Sequence, residues 1–232
     1  MTPLFAIGDC HGGFTKPSPM MYSLGQRRQL NLILPTLAGN TVQIGDYGIF
    51  DGEDVRTLRK LRPRDGYTDW FFRGNHDNPE LCLAQPSCLG DFGVVPGYPD
   101  IMFFAGAESV DVAPNPENNW PGRVEGKSWW KNEQLSEDQM QQAYDLYEQV
   151  KPRVVLSHEC PSRCYAALVF RHHFAVWKSA QNRTAAFLDN LVALHRPERW
   201  YFGHHHQSRG FDMDGTKYRC VDELEVVEVP LT

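Results

Sequence analysis

No apolar run approaches the ~18 uninterrupted residues of a membrane-spanning helix, so the chain is not read as an integral membrane protein. Basic residues are in deficit: Lys plus Arg is 23 against 29 for Asp plus Glu, a formal charge of −6. Non-specific duplex binding rests on neutralising phosphates with Lys and Arg, so that balance disfavours a bulk nucleic-acid coat. The first residues, Met1-Thr2-Pro3-Leu4-Phe5-Ala6-Ile7, carry neither a basic segment nor a long apolar stretch, so no signal peptide is expected and a cytoplasmic location is. Cys10, Cys82, Cys88, Cys160, Cys164 and Cys220 include no C-x-x-C pair; they read as reduced, buried thiols rather than as a zinc site or a disulfide framework. The 22% charged and 41% hydrophobic residues exclude a disordered chain and a coiled coil.

What remains is a globular protein of 232 residues, long enough to bury roughly 70% of its unfolded surface without staples. With no internal repeat and no linker-like composition break, one domain over residues 1–232 is expected. Five short apolar runs each end at a polar step. They are Leu4–Ile7 before Gly8-Asp9, Thr41–Ile44 before Gly45-Asp46, Asp69–Arg73 before Gly74-Asn75, Val154–Leu156 before Ser157-His158, and Arg199–Phe202 before Gly203-His204. They have the length of buried strands. Helical stretches fall around Gln26–Leu37, Asp54–Leu61, Glu137–Val150 and Thr184–Leu194, the third with Ser136 as N-cap and Met140, Tyr144 and Tyr147 on one face. The alternation predicts an α/β protein with polar groups gathered where the strands end. Beyond His206, Thr216–Val221 and Leu224–Val229 suggest a closing antiparallel meander turned at Asp222-Glu223. Ser109–Lys131, with three Pro, two Gly and three Trp and no period, reads as a long lid-like or binding loop.

The strand ends supply five clusters: Gly8-Asp9-Cys10-His11-Gly12, Gly45-Asp46-Tyr47-Gly48, Gly74-Asn75-His76-Asp77, Ser157-His158-Glu159 and Gly203-His204-His205-His206. Carboxylates, imidazoles and a carboxamide suit borderline divalent metals: Mn, Fe, Zn, Co or Ni. In extended backbone, residues i and i+2 share a face, so Asp9 and His11 converge while Cys10 points away, and His204 and His206 converge while His205 does not.

In this order the clusters resemble the pattern D-x-H, G-D, G-N-H-[D/E], H, G-H-x-H of the calcineurin-like metallophosphoesterase superfamily, from residue 4 to residue 206. The resemblance implies a four-layer α/β/β/α sandwich of two mixed sheets flanked by helices, and a dinuclear metal centre, manganese favoured. Asp9, His11 and His206 would hold one ion, Asn75, His158 and His204 the other, and Asp46 would bridge them. A metal-bound hydroxide would attack phosphorus in line. His76 would stabilise the transition state and protonate the leaving oxygen, with Asp77 orienting His76 or a ligand.

One branch of the superfamily fits less well. Ser/Thr protein phosphatases resemble G-D-x-V-D-R-G at the second block, and here Ile49 and Phe50 replace the Asp and the phosphate-gripping Arg. The endings are closer to small bacterial and phage phosphodiesterase-type members. The expected function is hydrolysis of a small phosphate ester or nucleotide, a diester preferred. The alternatives are a phosphomonoesterase, including a protein phosphatase, a nuclease, or a non-catalytic metal-dependent binding module. Arg163, Arg171, His172 and His173 are candidates to touch substrate or to form a solvated face. Trp120, Trp129 and Trp130 are candidates to stack on a base or to pack the long loop onto the body.

Overall fold

The computed structural model describes residues 1–16, 29–117, 119–168 and 182–231. Among the described residues, ten strands form two mixed sheets. The first holds β1 (Leu4–Ile7), β2 (Asn40–Ile44), β3 (Asp69–Phe72) and β10 (Val226–Val229) in the order β10-β1-β2-β3, with β10 antiparallel to β1 and the rest parallel. The second runs β4-β5-β6-β7-β9-β8. It comprises β4 (Phe92–Val94), β5 (Ile101–Phe104), β6 (Val154–Ser157), β7 (Arg199–Phe202), β8 (Arg209–Met213) and β9 (Thr216–Cys220), with β5, β6, β7 and β9 parallel and the two edge strands antiparallel.

Successive strand residues face opposite sides of a sheet, and three apolar layers follow. Leu4, Val42, Ile44, Phe72, Ile101, Phe103, Val154 and Leu156 meet between the sheets. Their neighbours point outward. Phe71 packs under the short helices α1 (Leu30–Ile33), α2 (Gly52–Leu58) and α3 (Pro79–Leu83) with Leu30, Val55 and Cys82. On the far side, Met102, Phe104, Val155, Trp200 and Phe202 pack against Tyr147 of α4 (Glu137–Val150) and Leu188 and Leu191 of α5 (Arg183–Leu194). Helix, sheet, sheet, helix is the expected four-layer order.

Local signals set several boundaries. Asp51 caps α2 through the N–H groups of Glu53 and Asp54 while Asp54 returns the bond to its backbone, so the helix begins before the expected Asp54. Ser136 and Gln139 form the same box at α4. Of the helix expected over Gln26–Leu37, residues 26–28 lie outside the described residues. The rest is α1 followed by a tighter turn over Leu34–Thr36, where Pro35 has no N–H to continue the ladder.

The expected meander is corrected. β9 lies beside β7 in the second sheet and β10 beside β1 in the first, so the turn at Asp222-Glu223 carries the chain from one sheet to the other. That turn docks on the site end of β1: Leu224 N–H donates to the Asp9 carbonyl at 3.1 Å and Gly8 N–H to the Glu225 carbonyl at 3.0 Å. Within Ser109–Lys131 the described residues form turns and two isolated bridges, Asn115 with Trp120 and Glu125 with Trp129.

Candidate metal centre

The parallel strands β1, β2 and β3, and β6 and β7, end on the same side, which brings all five polar clusters together. The side chains converge for a different reason from the extended alternation expected. His11 (φ 45°), Asp46 (φ 48°), His204 (φ 62°) and His206 (φ 48°) all adopt the left-handed conformation. Such backbone costs of order 1 kcal/mol or more per non-glycine residue and persists only where its surroundings hold it.

Those surroundings are visible. The Asp46 carbonyl accepts from Cys10 N–H at 3.0 Å and His11 N–H at 2.8 Å. His204 N–H donates to the Asp9 carboxylate at 3.1 Å, and His76 N–H donates to Asp46 Oδ1 at 2.9 Å. The buried Asp77 carboxylate accepts four backbone N–H groups: Tyr47 at 2.9 Å, Gly48 at 2.6 Å, Ile49 at 3.0 Å and Gly74 at 2.8 Å. It thus clamps the turn carrying Asp46 to the turn carrying Asn75 and His76. Burial and the nearby Asp46 charge push its carboxyl up to about 6, against the pull of those N–H groups.

The donors fall into two groups that share Asp46. Asp9, His11, Asp46 and His206 each offer a ligand atom within 4.8 Å of the others, and so do Asp46, His158 and His204. Asp9 Oδ2 lies 2.9 Å from His206 Nε2, Asp46 Oδ1 3.3 Å from His158 Nε2, and Asp46 Oδ2 4.0 Å from His11 Nδ1. Asn75 joins the second group with Oδ1 3.1 Å from His158 Nε2, while its Nδ2 donates to Ser109 Oγ at 2.9 Å. His158 Nδ1 is turned to the Ile44 carbonyl at 3.0 Å.

Burial disfavours charge on each titratable member of the cluster, and neighbours of opposite charge oppose it. Asp9 and Asp46 overcome their desolvation through the neighbouring imidazoles and stay below the usual carboxylate range. Against its own desolvation, His158 is drawn up to about 10 by Asp46, and His206 up to about 9 by its hydrogen bond to Asp9. Burial takes His204 down to about 3 and lowers His11.

Two features fit this donor set to divalent ions. His11 Nε2 and His206 Nε2 face each other at 3.1 Å. Buried His11 Nδ1 has no hydrogen-bond partner among the described residues. Ring nitrogens gathered this closely beside two carboxylates are a donor set that a divalent cation satisfies.

His76 stands at the rim, its Nε2 3.8 Å from Asp46 Oδ2 and its ring edge-to-face with His11. Burial pulls it well below the ordinary imidazole value, Asp46 opposing and Arg123 adding to the effect. Cys10 is buried in the apolar layer with Phe14 and Tyr47. His205 faces Glu159 Oε1 at 2.9 Å and Cys160 Sγ at 3.4 Å.

Several site residues carried little or no sequence signal. Glu159 Oε2 lies 3.6 Å from His204 Nε2, and Glu223 Oε1 lies 3.5 Å from His206 Nδ1, so each backs a candidate ligand. Arg123 reaches in from the long loop, with Nη2 2.9 Å from His76 Nε2 and Nε 2.6 Å from Asp111 Oδ1. Glu159 adjoins His158 in a recognised cluster; Arg123 sits in aperiodic sequence with nothing to mark it. Arg163 pairs with Asp189 at 2.7 Å, and Arg171, His172 and His173 lie outside the described residues. Trp130 is buried facing Phe50, and the Trp120 indole donates to the Asp111 carbonyl at 2.7 Å.

The calcineurin-like phosphoesterase family model matches residues 2–208. The chain belongs to the calcineurin-like phosphoesterase family. It is similar in fold to phosphopantetheinyl hydrolase from Mycobacterium tuberculosis, at 15% identity and a TM-score of 0.55, over 98% of this chain and 95% of that one. A structure described as a 5′-nucleotidase from Staphylococcus aureus aligns at 12% identity and a TM-score of 0.46, covering 97% of this chain and 50% of that one. No curated protein sequence matches. As a calcineurin-like phosphoesterase, the protein is a metal-dependent phosphoric ester hydrolase of a dinuclear-metal family. Among the described residues, no helix is long and apolar enough to cross a membrane.

Proposed function

We propose that residues 1–232 act as one cytoplasmic domain that hydrolyses a small phosphate ester or nucleotide, a phosphodiester in preference to a monoester. The observation that carries this reading is the pair of donor groups meeting at Asp46. Asp9, His11 and His206 would hold one divalent ion and Asn75, His158 and His204 the other, with Asp46 shared and manganese the favoured metal. Bound there, two such ions would supply Lewis-acid polarisation of the phosphoryl oxygens and activation of water for in-line displacement.

The chain's own residues do the rest. Asp77 fixes the Asp46 and Asn75 turns through four N–H bonds, which keeps the donors in place without reorganisation. Glu159 and Glu223 steady the outer faces of His204 and His206. His76, beside Asp46, is the group placed to pass a proton to the leaving oxygen.

The diester preference rests on Phe50, which occupies the sequence position of the arginine in the protein-phosphatase pattern G-D-x-V-D-R-G. Arg123 favours a second reading, because it supplies a cation beside His76 from elsewhere in the chain. The ratio of kcat/KM for bis-p-nitrophenyl phosphate to that for p-nitrophenyl phosphate, measured with one metal, separates them. A diester ratio above one supports the first; a monoester advantage of about tenfold, or 1.4 kcal/mol in transition-state binding, transfers the protein to the monoesterase reading.

A further inference from the structure

Arg123 is 47 residues from His76 in the sequence, yet its guanidinium lies against that ring. Its side chain is only 8% exposed. A buried guanidinium normally has its donors satisfied by carboxylates and carbonyls, as Arg73 does with Asp91 Oδ1 at 2.7 Å and the Glu133 carbonyl. Among the described residues, the carboxylate paired with Arg123 is Asp111, whose Oδ1 lies 2.6 Å from Nε.

Its other two nitrogens are poorly served. Nη2 is 2.9 Å from His76 Nε2, while Nη1 has His76 Nδ1 at 3.3 Å and the Ser128 carbonyl at 3.5 Å. A guanidinium only donates, and a neutral imidazole has one accepting nitrogen, so at most one of the two ring contacts is a full hydrogen bond. The fork therefore faces the candidate metal centre with spare donor capacity. Its planar pair of N–H groups matches two oxygens of one phosphoryl group, and bonds to a charged oxygen are about twice as strong as neutral ones.

We propose that Arg123, held by Asp111, binds the non-bridging oxygens of the substrate's phosphoryl group, and that the His76 ring is the acceptor it occupies until substrate arrives. This rests on the phosphoesterase reading for the location of the substrate, and on geometry for the residue. Exchange of a weak acceptor for a strong one moves the guanidinium onto phosphate and frees the His76 ring for the leaving oxygen. The loop carrying Arg123 thereby brings a guanidinium to the phosphoryl group whether that group is a diester or a monoester.

The test is calorimetric titration of the manganese-loaded protein with inorganic phosphate, run beside hydrolysis of both nitrophenyl esters. Arg123→Ala is expected to retain its metal content and to weaken phosphate about 10- to 100-fold, the worth of one or two charge-assisted bonds. Asp111→Asn is expected to produce a smaller loss in the same direction, a coupling that a merely structural role for the pair would not impose on phosphate affinity. Should Arg123→Ala fail to fold, Arg123→Lys, which keeps the charge without the fork, is expected to bind phosphate more weakly than the wild type. Unchanged phosphate affinity in a folded, metal-replete Arg123 variant overturns the proposal, as does a wild type that binds no phosphate. Arg123-dependent phosphate binding without hydrolysis of any ester would remove the catalytic reading and leave the assignment of Arg123 intact.

Discussion

Gly74 passes so close to Asp46 that a Cβ built on it would stand 2.1 Å from Oδ1 of that carboxylate and 2.6 Å from His158 Nε2. The backbone of one polar cluster is thus a wall of the metal pocket formed by two others. Gly74→Ala is expected to displace Asp46, lower metal content and cut hydrolysis by orders of magnitude, at a stability cost of roughly 1–3 kcal/mol for overpacking. Gly52→Ala is the control, since a Cβ there meets only the far end of Arg56 at 3.8 Å. Metal analysis by mass spectrometry of the two purified variants reads the difference; equal metal content in both contradicts it.

His76→Ala removes the ring but keeps the backbone N–H that donates to Asp46 Oδ1 at 2.9 Å, so the carboxylate stays placed. The variant is expected to hold metal and to lose about 10²–10⁴ in rate, as for a positioned general acid. The defect should grow with the pKa of the leaving alcohol in a series of aryl and alkyl esters. A constant defect across the series would assign His76 an electrostatic role instead.

Cys10 and His205 sit beside candidate ligands in the sequence and face away from them in space. Cys10→Ala and His205→Ala are expected to leave metal stoichiometry unchanged. His205→Ala should cost about 1–3 kcal/mol, because it strips a hydrogen bond from the buried Glu159 carboxylate. Thermal melts combined with metal counts check both statements; metal loss in either variant refutes the assignment.

Glu159 gives a pH dependence with a definite sign. Burial would raise its carboxyl, but His204, His205 and Asn182 overcome that and hold it below its ordinary value of 4.5. A carboxyl depressed in the native state adds stability that is complete above its unfolded pKa and is lost as the pH falls through its native one. Glu159→Gln is therefore expected to be less stable than wild type by roughly 1–3 kcal/mol near neutrality, the scale for hydrogen bonds to a buried charged group. The gap should narrow as the pH drops below 4.5. Denaturant midpoints along a pH series test this, and a gap that widens with acid would contradict it.

The sequence made the strand ends legible because buried parallel strands are short apolar runs and their exits here are polar. β1 and β7 have the expected boundaries, and α4 begins at its expected cap. β5 carries no sequence mark because its apolar run ends in no polar cluster, and β8 because only Phe211 and Met213 of its five residues turn to the core, between Gly210, Asp212 and exposed Arg209. The partition of β9 and β10 between sheets depends on partners far away in the chain, which local alternation does not encode. The same holds within the site. Identities and order marked the ligand candidates, but the left-handed turns that aim His11, Asp46, His204 and His206 follow from hydrogen bonds between clusters. Arg123 was invisible because its role depends only on where the long loop lands.

The shared carboxylate is the central claim, and metal content paired with activity in Asp46→Asn tests it most directly. The wild type is expected to carry up to two divalent ions per chain and to lose hydrolysis on chelation, since a bridging carboxylate offsets the repulsion between two close cations. Asp46→Asn should bind less metal and hydrolyse phosphate esters orders of magnitude more slowly. Full hydrolytic activity of Asp46→Asn in EDTA would contradict the account.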